Sequence, residues 1–244
     1  MTDDVVKSAA LNWDFEGDFE GFEDAVTPML RKYDAAMREM CTRLESLDAD
    51  LETSFKRNPI RNIENRRKSI KSIYEKMLRR GYPVTLASVD EHLWDIAGVR
   101  VIASYVGDVY ILAQFLLAQD DLEIVTVKDY VADPKPNGYR SLHVVVKVPT
   151  YFLDQKLMVP VEVQFRTIAM DFWASLEHTL KYKGAAEVTG IDMAGELKYC
   201  ATMIEEVEER MQIMMDAVQT TEEAAIAAAG EAAGPEQLSL PVDA

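Results

Sequence analysis

The 244-residue chain has only two cysteines and three histidines. Cys41 and Cys200 share no close spacing and fall in apolar helical patterns, which excludes a disulfide framework or a thiolate metal centre and fits a reducing, cytoplasmic setting. His92, His143 and His178 form no His-Asp pair and show no metal-ligand spacing. His178 follows an apolar helical face and reads as structural, His92 as a capping or surface residue. No segment approaches the roughly 18 apolar residues of a membrane span, and the acidic start Met1-Thr2-Asp3-Asp4 leads into no apolar leader, so a soluble protein is expected. There is no Gly-x-Gly-x-x-Gly and no Walker loop, so any bound phosphates must be gripped by side chains. Basic residues are outnumbered 26 to 42, and the net charge of −16 argues against general nucleic-acid affinity.

The positive charge that is present is concentrated. Residues 56–80 hold ten Lys or Arg against Glu64 and Glu75, a segment of +8 in a remainder of −24. A solvated helix face is one reading. A site for a small polyanion is the other, and the acidic surroundings favour it.

Hydrophobic spacing divides the chain. Residues 1–23 are acidic and aromatic, readable as a docking arm or a disordered lead. From 24 to 55, Leu30, Tyr33, Met37, Met40, Leu44, Leu47 and Leu51 recur in steps of three and four, which predicts a long helix with a heptad seam. A second seam, Leu197, Cys200, Ile204, Val207, Met211, Met214 and Val218, predicts another. Each could pack on its own domain or on another copy. Between them the spacing predicts a helix over 66–80 stopped by Gly81 and Pro83, strands at 99–106, 122–128, 139–148 and 157–166, and helices at 108–118 and 167–182. An α/β (α+β) mixed sheet with helices packed on it follows. The divisions are 1–23, a domain over 24–190, a helix over 191–220, and a flexible tail over 221–244, which lacks basic residues. Gln237-Leu238-Ser239-Leu240 in that tail is similar to a sliding-clamp peptide but lacks the aromatic that should follow.

Three groups of residues carry chemistry. On the first predicted helix Lys68, Ser72 and Lys76 share a face while Ile70, Ile73 and Met77 turn to a core, and with Arg66 this stripe suits a triphosphate. Asp95 precedes a predicted strand beside Arg100, where it reads either as an ion pair or as a Mg²⁺ ligand at a phosphate site. Strand alternation puts Tyr139, Ser141 and His143 on one face, after the stiff Asp133-Pro134-Lys135-Pro136-Asn137-Gly138 loop. Glu162, Gln164 and Arg166 share a face of the next strand, so Tyr139 could stack on a base over a common cleft. Glu162, between valines, is either a partly desolvated general base or the partner of Arg166 or Arg140.

The series Arg66-x-Lys68-Ser69-x-x-Ser72-x-x-x-Lys76, Asp95-Ile96-Ala97-Gly98-Val99-Arg100, Lys135-Pro136-Asn137-Gly138-Tyr139-Arg140-Ser141-Leu142-His143 and Glu162-Val163-Gln164-Phe165-Arg166-Thr167 resembles the synthetase domain of RelA/SpoT-type alarmone synthetases. That resemblance implies a nucleotidyltransferase-like domain that moves pyrophosphate from ATP to the 3′-hydroxyl of GTP or GDP, giving guanosine penta- or tetraphosphate and AMP. It implies Arg66, Lys68, Ser69, Ser72, Lys76 and Arg100 on the ATP side. It implies Asp95 as a Mg²⁺ ligand and Glu162 at the 3′-hydroxyl and near the metal. Lys135, Asn137, Tyr139, His143 and Gln164 fall to the acceptor. Lacking a hydrolase domain, the chain is similar to the small stand-alone members, which implies a homo-oligomer, a tetramer above all. Regulation by RNA is left open.

Two other readings compete. A relative could pyrophosphorylate an adenosine nucleotide or the 3′ end of tRNA, because tyrosine stacks on any base. A non-catalytic nucleotide- or RNA-binding module is the other, against which the Asp95 and Glu162 pair speaks.

Overall fold

The computed structural model describes residues 19–152, 155–182 and 192–232. In chain order they form α1 (Phe19–Phe55), β1 (Ile60–Arg67), α2 (Ile70–Arg80), α3 (Leu86–His92), β2 (Ala97–Ala103), α4 (Val106–Leu117), β3 (Glu123–Asp129), β4 (Leu142–Phe152), β5 (Gln155–Thr167), α5 (Ile168–Tyr182) and α6 (Met193–Ala232). The expected mixed sheet has five strands in the order β1-β2-β5-β4-β3. β2 and β5 run parallel, and the other neighbours are antiparallel.

Alternation along the central strands sorts the sheet into two faces. Val99, Val101, Val144, Val146, Val161, Val163 and Phe165 are buried on one of them. Across that face lies α1, and its seam of Leu30, Tyr33, Met37, Met40, Leu44 and Leu51 is buried in the same core, with Leu47 partly so. Burying a side chain of this size is worth about 1.5–3 kcal/mol, so this face holds most of the driving force for folding. The seam therefore serves its own domain rather than a second copy. α1 also begins earlier than 24, because Phe22 is buried in the core and packs against Tyr74, as does Phe19.

Three local assignments differ from the sequence reading. Residues 60–67, read as part of a basic run or a helix, form edge strand β1, whose side chains alternate little between apolar and polar and are mostly exposed. Arg66 is on that strand and Lys68 in the link after it, while α2 starts at Ile70 after its N-cap Ser69, whose hydroxyl accepts from the Ser72 backbone N–H. Its end at Gly81, φ 67°, was legible as a left-handed C-cap. Tyr139 to Ser141 precede β4, so Ser141 does not share the polar face: it is fully buried and donates to the Phe165 carbonyl at 3.1 Å.

The basic island is divided by the fold. Arg57 forms a fork onto the buried Asp108 carboxylate (2.6 and 2.9 Å), Arg67 pairs with Asp34, and Lys71 with Glu75. At the other end, α6 continues to Ala232, past the boundary expected at 220, and its seam residues Val207, Met211, Met214 and Val218 are exposed. His178, expected to be structural, is exposed on α5, because the buried face of that helix runs through Met170, Trp173 and Glu177 instead. His92 ends α3 and stacks on Tyr82 at 4.3 Å. Residues 1–18 and 233–244, with the Gln237 to Leu240 peptide, lie outside the described residues.

Candidate active site

The second face of the sheet is polar, and register makes it a grid. Glu64, Arg100, Gln164 and His143 lie side by side across β1, β2, β5 and β4, and Arg66, Gly98 and Glu162 form the adjoining row. Gly98 matters here because it keeps the middle of its row open between Arg66 and Glu162. A β-carbon there would also crowd the Arg66 carbonyl at 3.2 Å. Above this floor is a cleft of about 590 Å³ lined by, among others, Arg66, Lys68, Ser72, Asp95, Arg100 and Glu162.

At one end of the cleft, Asp95 sits in the link before β2. Its Oδ2 accepts from Lys68 Nζ at 2.5 Å and Lys76 Nζ at 2.7 Å. The lysines are thus not a free helical stripe. Lys68 reaches Asp95 from outside α2, held by its backbone bond to the Ile96 carbonyl. Burial pushes the Asp95 carboxyl up, but the two ammonium groups outweigh it and hold it below the usual carboxylate range. Its Oδ1 is buried and has no partner among the described residues. Arg100, expected beside Asp95, instead contacts Glu64 at 3.1 Å and Asp171 at 3.3 Å, leaving its own Nε buried and without a partner among the described residues. Arg66 is exposed at the cleft and makes no ion pair among the described residues. Ser69 and Ser72 share a hydroxyl bond of 2.9 Å, which puts Ser69 in a capping role.

At the other end the side chains close a ring of hydrogen bonds. Tyr139 Oη meets His143 Nε2 at 2.8 Å, and His143 Nδ1 meets Glu162 Oε1 at 3.1 Å. Gln164 donates to Glu162 Oε2 at 2.8 Å, and Arg166 donates to Gln164 Oε1 at 3.0 Å and back to Tyr139 Oη at 2.6 Å. Glu162 therefore pairs with His143 and Gln164, not with Arg140 or Arg166. Burial pushes its carboxyl up, as the flanking valines suggested, yet the His143 and Gln164 bonds win and leave it below the ordinary range. It is ionised near neutrality, ready to accept a proton rather than to give one. Over the Tyr139 ring lie Lys135 Nζ at 4.6 Å and the Arg166 guanidinium at 5.1 Å, and Tyr130 adds a second face to Lys135. Burial lowers the Lys135 ammonium.

The sequence reading placed these residues in one cleft and missed three features. Asn137 turns away from it, donating to Glu177 on α5 at 3.0 Å and accepting from the Tyr139 backbone N–H, so it shapes the loop. Arg166, set aside as a possible partner of Glu162, joins Tyr139 to Gln164 and is nearly buried. Its place on the same strand face as Glu162 and Gln164 was the available signal. Glu64 and Asp171 were invisible because their role comes from pairing across strands and onto α5.

For a divalent cation, the described residues contain no cluster of three or more His, Cys, Asp or Glu side chains. They do place the orphaned Asp95 Oδ1 and the Glu162 carboxylate in one cleft, close enough for Asp95 to raise Glu162 electrostatically. That donor set fits Mg²⁺, which takes one or two carboxylates and leaves its other positions to water and phosphate.

Comparison with known proteins identifies the family. Residues 65–187 match the model of the region found in RelA / SpoT proteins. GTP pyrophosphokinase YwaC from Bacillus subtilis (strain 168) is 40% identical over 179 residues, covering 73% of this chain and 85% of that protein. The small alarmone synthetase 1 from Bacillus subtilis bound to its product pppGpp superposes with a TM-score of 0.71 at 32% identity, over 79% of this chain and 97% of that one. The same synthetase bound to AMPCPP gives 0.66 at 29%, again over 79% and 97%. The matched region covers half of the chain and spans all four motifs, and on that ground the chain belongs to the RelA/SpoT family.

Proposed function

We propose that this chain is a GTP pyrophosphokinase, transferring the pyrophosphoryl group of ATP to the 3′-hydroxyl of GTP or GDP and releasing AMP. The observation that carries this reading is the position of ionised Glu162 between two unlike ends of one cleft, a cationic strip with an unpartnered carboxylate oxygen and a tyrosine-centred ring. Its family supports the same reaction, since YwaC is itself a GTP pyrophosphokinase.

In this reading Arg66, Lys68, Ser72, Lys76 and Arg100 grip the ATP phosphates. Arg66 is free to fork onto phosphate oxygens, and Lys68 and Lys76 together carry one charge more than Asp95 cancels. Tyr139 stacks on the acceptor base once Lys135 yields its place over the ring to a phosphate. The 3′-oxygen bonds to the β-phosphorus, the bond from that phosphorus to the oxygen bridging to the α-phosphorus breaks, and that oxygen leaves on AMP. Glu162 takes the hydroxyl proton, and His143 and Gln164 keep its carboxylate aimed. Phosphoryl transfer of this kind needs alignment and charge neutralisation more than covalent help. Asp95 and Glu162 would hold Mg²⁺, which supplies part of that neutralisation.

A homo-oligomer, a tetramer by preference, is part of the same proposal. Val207, Met211, Met214 and Val218 on α6 and Phe172 and Leu176 on α5 form an exposed apolar surface of the kind that marks an interface. A monomer by light scattering at micromolar concentration would remove this part. A cytoplasmic location fits the two free cysteines.

Labelled ATP with Mg²⁺ and GTP, GDP or an adenosine nucleotide tests the reaction. AMP and a guanosine penta- or tetraphosphate in equal amounts are expected. ADP, or no AMP with any acceptor, would overturn it.

A further inference from the structure

The loop that carries the acceptor residues is gripped from outside as firmly as it is arranged inside. Lys135 and Tyr139 pack together beside the His143 and Glu162 side chains, but the residues between and beyond them face α5 and α6. Asn137 bonds Glu177 on α5. Gly138 adopts a φ of 91°, and a β-carbon there would fall 2.5 Å from the Ala201 β-carbon on α6, so both backbone conformation and close approach demand glycine. Arg140 is buried and donates from Nη1 to Glu208 Oε2 on α6 at 2.5 Å, with Glu205 at 3.7 Å.

Glu208 has a second hold on the site. Its Oε1 accepts from the Thr167 hydroxyl, and Thr167 ends β5, the strand that carries Glu162, Gln164 and Arg166. The Thr167 hydroxyl oxygen also accepts from the Met170 backbone N–H, fixing the start of α5. One buried carboxylate thus ties the acceptor loop to the base-bearing strand, from a helix that touches no reacting group. A buried charge at this position is costly. Burial pushes the Glu208 carboxyl up despite Thr167 and Arg140, so the residue is a poor choice on stability grounds alone. By contrast, the Lys68 and Lys76 ammonium groups have their ion pairs with Asp95, not with α6.

We propose that Glu208 is a positioning residue for the acceptor nucleotide: by fixing Arg140 and Thr167 it sets the Tyr139 ring and the Glu162 strand in register with each other. The inference rests on the acceptor reading of Tyr139 given above. Because the outer face of the same helix is the apolar surface assigned to oligomer contacts, assembly and acceptor binding share one element.

The test compares steady-state kinetics of the full chain with Glu208→Gln, Glu208→Asp and Glu208→Ala. Glutamine keeps the shape but has one acceptor oxygen for two donors and leaves the buried Arg140 guanidinium without its carboxylate, so the melting temperature should fall, while calorimetric binding of AMPCPP shows the variant to be folded. KM for GTP should rise on the order of 10-fold in the glutamine variant, within the 10²-fold that a misplacement of about 1 Å can cost. KM for ATP should stay within about 2-fold, since the donor strip does not touch α6. Aspartate, which keeps two acceptor oxygens, should recover part of the loss. If alanine lowers the melting temperature, calorimetric binding of AMPCPP separates a folded variant from an unfolded one. An unchanged KM for GTP in Glu208→Gln, or equal rises for both nucleotides, overturns the positioning role. Wild-type protein that makes no guanosine product would instead overturn the proposed reaction.

Discussion

The two ends of the cleft are built on opposite plans. The strip around Asp95 leaves bonding capacity over: among the described residues Asp95 Oδ1 and Arg100 Nε are buried without partners, and the exposed Arg66 makes no ion pair. The ring around Tyr139 closes on itself through five side chains, with the Arg166 Nε left over as a buried atom without a partner among the described residues. Buried polar groups without partners cost free energy, whereas a satisfied network rigidifies its members. The first end is therefore a site finished by its ligand and ion, and the second is held in place by its own bonds, with Lys135 the group that must move off the Tyr139 ring when the acceptor binds. Glu162 belongs to the ring by its bonds and to the strip by its electrostatic contact with Asp95.

That contrast can be broken in order of expected effect. Glu162→Gln keeps the bond from Gln164 and removes the proton acceptor, so kcat should fall by about 10²–10⁴ while both nucleotides still bind by calorimetry. Near-normal turnover would take Glu162 out of the chemistry. Asp95→Asn strips the charge that the two lysines neutralise and one of the two carboxylates expected to hold Mg²⁺. Turnover should fall by about 10²–10³, the size of other lost electrostatic contacts, and the Mg²⁺ concentration needed for half-activity should rise. Unchanged Mg²⁺ dependence would count against a metal there. Tyr139→Phe opens the ring at its phenol but keeps a stacking face, so KM for GTP should change by less than about 10-fold, the worth of one hydrogen bond. A larger rise would mean that the phenol, not the stack, holds the acceptor.

The smallest effect is on pH. Asp95 is held below its ordinary range, so the stability it contributes is present above the unfolded value of about 3.9 and is lost as pH falls through the lower folded value. The stability gap between wild type and Asp95→Asn in urea titrations should be constant from pH 5 to 8 and shrink below about pH 4. A gap that grew on acidification would reverse the sign of the argument.

Much of this was legible in the chain. The α1 helix, the Gly81 stop and the sheet class followed from periodicity and turn chemistry, and the four site motifs were picked out by residue type together with the resemblance to RelA/SpoT synthetases. β1 was not, since an edge strand with both faces largely exposed has no alternation to read. Nor was the outward turn of Asn137 or the burial of Ser141, because both depend on α5, α6 and β5 closing around the loop. The Glu208 brace connects residues 41 and 68 positions apart in sequence, a separation at which spacing carries no signal.

Calorimetry on Arg66→Ala and Tyr139→Ala, each titrated with AMPCPP and with GTP, tests the division of the cleft most directly. Arg66→Ala should weaken AMPCPP by roughly 10- to 100-fold, the worth of a charge-assisted bond, and leave GTP unchanged. Tyr139→Ala should weaken GTP by about 1–3 kcal/mol, the worth of a base stack, and leave AMPCPP unchanged. Loss of the same nucleotide in both variants, or the two losses exchanged, would contradict the assignment of donor and acceptor ends.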